Sequence, residues 1–314
     1  MKLFKRTVIC VLSLCMSLSA VLGMTPQRST KIAVETVVLS PGNTAPIAEN
    51  IKISTYRNTI ITGQLQAYDA ENEQIYFELT KKPKQGKVTI YEDGSFSFDP
   101  CGTKKNKVIF SYIAIDASGN KSNAAEVVVY IDKQTCSIIY SDVDAKDEYF
   151  AVFLAENDIY TGQCIGSEYF FNPDRSVTKG EFLSMCLTAT GHDFITDITR
   201  TGLSNDEELP LWVKNCVSTA ALCGCFRCDD VFKYDEVVTY EEAAVIINDV
   251  FEVTDVISAS SITPYLRQNS AQAINNLYFC GISDADIVGR FDKNITMIDA
   301  AKMITKAVNI FNNR

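Results

Sequence analysis

Histidine is almost missing from this chain: His192 is the only one in 314 residues. It follows Gly191 at an expected helix end, and base-assisted nucleophilic catalysis, which needs a positioned imidazole or a comparable base, has no machinery to draw on. No phosphate-binding loop, dinucleotide fingerprint or Gly-x-Ser-x-Gly elbow occurs either. Neighbouring acids such as Glu207-Glu208 read as a solvated loop, and the expectation is a protein that is not an enzyme. Asp284-Ala285-Asp286-Ile287-Val288-Gly289 opens like a calcium loop, but Val288 and Ile295 stand where oxygen ligands are required. A basic excess is lacking too: 29 Lys and Arg face 39 Asp and Glu, for a net charge of −10. That excludes nucleic acid and anionic membrane surfaces as partners met by the overall field, and leaves an anionic polymer only where a local cation meets it.

Long apolar runs are also scarce. The longest, Thr7 to Leu22, holds sixteen residues, short of the roughly 20 that span a bilayer. Preceded by Lys2, Lys5 and Arg6 and followed by Gly23 and Thr25-Pro26-Gln27-Arg28, it reads as a secretory signal peptide over 1–24. No membrane span is expected after its removal. Cys15 is not a lipoprotein cysteine, since the bulky Leu14 precedes it. Cleavage removes three cations and no acid, taking the net charge from −10 to −13. Of eleven cysteines, Cys10 and Cys15 leave with the signal and an odd nine remain. Cys186 and Cys216 fall at apolar positions and read as core. The cluster Cys223-Gly224-Cys225-Phe226-Arg227-Cys228 is open to core, disulfide or zinc use; zinc needs a fourth ligand, and His192 is distant in sequence.

Residues 25–42 read as a linker. From Asn43 to Asp132 apolar and polar residues alternate with the period of half-buried strands. The runs are Ile51–Ile53, Ile60–Ala67, Ile75–Leu79, Lys87–Tyr91, Ser95–Phe98, Val108–Ile115 and Ala125–Ile131, with turn chemistry between them at Asp69–Asn72, Lys82–Gly86, Glu92–Gly94 and Asp116–Asn120. About seven short strands in under ninety residues predict a β-sandwich over 43–132. Asn43-x-x-Pro46, Gly63-x-Leu65-x-Ala67-x-Asp69-x-Glu71, Pro83-x-x-Gly86-x-Val88, Gly94-x-Phe96-x-Phe98-x-Pro100 and Phe110-x-Tyr112 with Asp116-x-x-Gly119 resemble bacterial cadherin-like immunoglobulin modules of surface proteins. The resemblance implies a spacer or adhesive unit, some examples of which bind calcium. No cofactor is required, but Asp69, Glu71 and Asp116 are the ligands a calcium ion would use here. The alternative is that each caps its own turn.

After a short joint over 133–139, residues 140–314 repeat one skeleton three times, over about 140–192, 193–254 and 255–314. Glycines recur at Gly162, Gly224 and Gly281, aromatics at Phe171, Phe232 and Phe291, threonines at Thr178, Thr239 and Thr296, and acids at Glu181, Glu242 and Asp299. Helical periodicity precedes each glycine, which is expected to close a helix. Each threonine, with the acid three residues on, is a capping box that opens another.

This helix–loop–helix triplet resembles the S-layer homology module. The residues that carry the likeness are Tyr140-Ser141-Asp142-Val143, Gly162-x-x-x-Gly166, Phe171-Asn172-Pro173 and Val177-Thr178-Lys179-Gly180-Glu181-Phe182. The second copy keeps Phe194-Ile195-Thr196-Asp197, Trp212, Phe232 and Val238–Ala243; the third keeps Gly281-Ile282, Phe291-Asp292 and Ile295–Ala300. The resemblance implies an all-α three-pronged anchor that binds a pyruvylated cell-wall polysaccharide, with a cation after each threonine facing the sugar carboxylate. Here that position reads Lys179, Tyr240 and Met297, so Lys179 alone keeps the charge. The expected carbohydrate-binding residues are Asp142, Lys179, Asp197, Trp212 and Tyr240; for Trp212 the alternative is core, and for the two aspartates helix caps. The whole then reads as a multidomain secreted protein on the wall of a Gram-positive-type bacterium, an all-β sandwich followed by an all-α repeat bundle. The competing expectation is an adhesion or assembly protein whose degenerate repeats contact other surface proteins.

Overall fold

The computed structural model describes residues 43–196, 200–224, 230–253, 268–283 and 291–311. The expected signal peptide and 25–42 linker lie outside these residues, as do Asp197, Cys225 and Cys228.

All seven alternating runs form strands. β1 (Ile47–Ala48) pairs with β4 (Ala67–Tyr68), and the remaining strands make two sheets. One is four-stranded, in the order β2 (Ile51–Tyr56), β9 (Ala125–Asp132), β8 (Lys107–Ile115), β5 (Tyr76–Lys81). The other is three-stranded, in the order β3 (Ile61–Gln64), β7 (Ser95–Asp99), β6 (Lys87–Ile90). β2 runs parallel to β9, whereas β9 with β8 and β8 with β5 pair antiparallel. Alternation sends Phe96 and Phe98 of β7, Phe110 and Tyr112 of β8, and Val127 and Val129 of β9 into one core, where each is fully buried. Phe96 and Phe110 meet edge to face at 5.4 Å. The expected run Ile60–Ala67 is cut in two because the Leu65 amide donates to Gly94 O, after which the chain leaves β7 and takes β1 as partner.

Beyond residue 140 the described chain is mainly helical: α1 (Glu148–Glu156), α2 (Lys179–Ala189), α3 (Leu211–Cys223), α4 (Tyr240–Val250), α5 (Gln268–Phe279) and α6 (Met297–Phe311). All three capping boxes form. Thr178 accepts from the Glu181 amide while Glu181 accepts from the Thr178 amide, and Thr239/Glu242 and Thr296/Asp299 do the same. Cys186 and Cys216 are buried in the core as expected.

The glycines do not all close helices. Gly224 caps α3 in the left-handed conformation, but α1 ends earlier, at Glu156, and Asp158 takes the positive φ there. Gly162 serves another purpose: it stands at the foot of an unexpected hairpin, β10 (Gln163–Ile165) against β11 (Glu168–Phe170). A Cβ at Gly162 would lie 2.2 Å from Phe170 O, so only glycine lets the two backbones approach.

The repeats close on one another. The segments before each capping box form a cycle in which Val177 N–H donates to Ile295 O, Ile295 N–H to Val238 O, and Val238 N–H to Val177 O. A second set runs round the ring in the opposite sense, from Lys179 N–H to Glu236 O, Tyr240 N–H to Lys293 O and Met297 N–H to Arg175 O. Helix packing repeats the pattern: α3 lies on α2, α5 on α4, and α1 on α6, so each repeat's first helix uses the previous repeat's second. Lys302 of α6 pairs with Asp147 beside α1 at 2.7 Å, fastening the join between the last repeat and the first.

Candidate functional site

The capping box of α2 faces the loop before α4. Backbone bonds from the Lys179 amide to Glu236 O and from the Gly180 amide to Tyr234 O hold that loop against the helix start. Gly180 is buried beneath an aromatic pair, and a Cβ there would lie 3.0 Å from Trp212 Cη2 and 3.1 Å from Tyr234 Cβ. Trp212 and Tyr234 meet at 6.1 Å and 88°. The alternative that Trp212 is core does not hold: its neighbours Val213, Cys216 and Val217 are buried, while the indole itself is 44% exposed. The indole, held edge-on to the tyrosine, thus presents aromatic surface to solvent.

The expected free cation is not free. Lys179 Nζ lies 2.9 Å from Glu236 and 2.7 Å from Glu242, with its side chain 18% exposed. Burial alone would lower its pKa, but the hydrogen bonds to Glu242 and Glu236 prevail and raise it. One ammonium between two carboxylates leaves a local excess of negative charge. Lys179 therefore ties repeat one to the capping acid of repeat two before it can attract an outside carboxylate. Arg175 does the same for its own repeat, donating to both oxygens of Glu181 at 3.0 Å.

At the matching positions Tyr240 is half-buried against the core and Met297 is fully buried. The three positions thus share a backbone geometry and differ in what they present. Asp142 is brought to the first loop as a brace: its carboxylate accepts from the amides of Phe171 and Asn172, at 2.8 and 2.7 Å. It thereby fixes Phe171, which Tyr140 and Tyr160 clasp edge to face at 5.2 and 5.3 Å. Its structural counterpart in the second repeat is Asn205, bonded to the amide and carbonyl of Phe232. The sequence pattern pointed instead to Asp197, which lies outside the described residues. Next to Asn205, Asp206 is drawn down to about 2 by the hydroxyl and amide of Thr201 and by Lys214 at 2.9 Å.

The calcium candidates are occupied by protein. Asp69 Oδ1 accepts from the Glu71 and Glu73 amides, Glu71 from the amide and hydroxyl of Thr44, and Asp116 from the amide and side chain of Asn120. Asp69 Oδ2 and, beside Asp116, Asn43 Oδ1 are buried without a partner. Two such oxygens fall short of the six to eight that calcium takes, and no group of three or more acids, thiols or imidazoles suited to a metal occurs among the described residues. The residues do not fit a calcium site. His192, distant from the cysteine cluster in sequence, is brought within 3.6 Å of Cys223 Sγ. All seven described cysteines are free thiols.

With the sandwich and its turns in view, the comparison with known families is specific for one part of the chain. Residues 43–129 match the family model of a bacterial Ig domain. No curated protein matches the chain. Similar solved structures include an endo-fucoidan hydrolase of glycoside hydrolase family 107 (17% identity, 30% of this chain and 14% of that one, TM-score 0.24). The D00–D0 domain of intimin is another (15%, 30% and 50%, 0.23), as is a mutant SrpA adhesin from Streptococcus sanguinis (18%, 36% and 78%, 0.23). The chain spans half or less of the first two. Among the described residues no helix is long and apolar enough to cross a membrane, and the Ig domain is joined to the helical region through Tyr56 and Tyr149, whose rings lie 5.5 Å apart.

Proposed function

We propose that this is an exported surface protein held on a cell-wall polysaccharide by its three helical repeats, which display the Ig domain outward. The observation that carries the reading is the half-exposed Trp212, set against Tyr234 over Gly180 where the first two repeats meet. The closed threefold arrangement and the three capping boxes support an S-layer-homology-like bundle. Lys179, paired with two acids, contributes by holding the first two repeats together, and the indole supplies the sugar contact. The activity assigned is binding, with no catalytic step.

Co-sedimentation with purified, protein-free cell walls tests this. The protein is expected to pellet with walls carrying a pyruvylated polymer, and Trp212→Ala is expected to weaken binding at least about tenfold, the scale of a lost stacking contact, with unchanged helical circular dichroism. A wild-type protein that stays in the supernatant overturns the reading. The pairing of Lys179 with Glu236 and Glu242 favours a second reading, in which the repeats bind other surface proteins; that reading gains if a partner protein, and not the wall, retains the chain through Trp212.

A further inference from the structure

Seven lysines of this acidic protein are gathered elsewhere without an ion pair. Lys81, Lys82, Lys84 and Lys87 lie in and beside the turn from β5 to β6, and Lys104, Lys105 and Lys107 at the connection from β7 to β8. The fold brings both connections to one end of the Ig domain: Thr103 donates its hydroxyl to Gln85 Oε1, Lys87 lies opposite Asp99 in the backbone register of β6 and β7, and Lys81 lies opposite Ser111 in that of β5 and β8. All seven lysines are exposed, and none forms an ion pair among the described residues, whereas Lys121, Lys146, Lys179, Lys214, Lys233 and Lys302 each do. Between the two connections an open hollow of about 530 Å³ is walled by Gln85, Gly86, Pro100, Thr103, Lys104 and Lys105, together with Cys101.

Protection of sheet edges explains some of these lysines, because β5 and β6 are the exposed edges of their sheets and a lysine there discourages pairing with another chain. It accounts for Lys81 and Lys87. It does not account for Lys82, Lys84, Lys104 and Lys105, which lie outside the strands and crowd like charges at one tip. We infer that this tip of the Ig domain is a binding site for a polyanionic polysaccharide, whose repeated charges the lysines meet while the hollow takes a sugar unit. The hollow mixes the hydroxyl, amide and ammonium groups of Thr103, Gln85, Lys104 and Lys105 with the apolar surface of Pro100, as a saccharide's hydroxyls and C–H faces require, and none of its lining residues is aromatic, so it offers a nucleic-acid base nothing to stack on. This site shares no residue with the Trp212–Tyr234 pair, so the two fail or survive independently.

The test is affinity electrophoresis of the full chain through gels containing polygalacturonate, at ~50 and ~200 mM salt. Retardation is expected at low salt, with affinity falling roughly tenfold or more at the higher salt if three lysines are engaged. The triple variant Lys84→Gln, Lys104→Gln, Lys105→Gln is expected to lose binding about tenfold or more and to flatten the salt dependence. Lys52→Gln, Lys121→Gln, Lys146→Gln, which changes the net charge equally on other surfaces, is expected to bind like the wild type. No retardation of the wild type, or equal losses in both triple variants, overturns the proposal. Equal or tighter binding to single-stranded DNA of matched charge overturns the choice of a polysaccharide.

Discussion

The Ig domain and the helical region reach stability by opposite routes. Residues 43–132 pack both sheets around a core drawn from their own strands, centred on Phe96, Phe98, Phe110 and Tyr112. No helical repeat does this, since α1, α3 and α5 each lie on a helix of the preceding repeat and the ring closes only when α6 meets α1. The sandwich is complete as a segment. The repeats are complete only as a set, as expected of units that cannot bury their apolar faces singly.

The most severe way to break this contrast is to end the chain at Val253. That removes α5 and α6, strips the covering from α4 and α1, and leaves Val177 and Val238 without the bonds made by Ile295. The helical signal at 222 nm is expected to lose its cooperative melting while the strand signal of the Ig domain persists; survival of both would show that two repeats suffice. Next, Phe171→Ala empties the centre of the first loop, where the ring is fully buried between Tyr140 and Tyr160. The expected cost is about 3–5 kcal/mol, seen as a drop in the helical transition and not in that of the Ig domain. Thr239→Ala removes one hydroxyl of one capping box and is expected to cost about 1 kcal/mol in urea unfolding.

The smallest effect is one of pH. Asp206 has its folded pKa depressed to about 2 by Thr201 and Lys214, below the ordinary value of about 3.9. Its contribution is therefore full above the unfolded value and is lost as pH falls through about 4 toward 2. Asp206→Asn is expected to flatten the stability of the helical region over that window, measured by urea titrations at stepped pH, and to leave the Ig domain's pH response unchanged.

Much of this was legible in the sequence, and for a local reason. Strand alternation and the Thr–x–x–acid boxes are set by neighbours a few residues apart, so Ser95–Phe98 and Thr178–Glu181 announce their structures. The β10–β11 hairpin was legible as well, in the Gly166-Ser167 turn between Gln163–Ile165 and Glu168–Phe170, but was overshadowed by the helical reading on either side. Gly162 was misassigned because a helix-closing glycine and one admitting a close backbone contact look alike in sequence. The candidate site was harder, because its chemistry depends on contacts between repeats. Nothing near Lys179 in sequence reveals that Glu236 and Glu242 hold its ammonium, and Asn205 does for Phe232 what Asp142 does for Phe171 without sharing its residue type. The lysines at the Ig tip lie in two stretches that only the fold brings together.

The central claim is that the three repeats form one closed unit. Native-state hydrogen exchange of the amides of Val177, Val238 and Ile295 tests it most directly, since each donates to the next member of the cycle. Exchange governed by one shared opening requires the three protection factors to agree within about tenfold, or about 1.4 kcal/mol. An Ile295 amide that exchanges at the rate of an unfolded chain, while Val177 and Val238 stay protected, would contradict the closed ring.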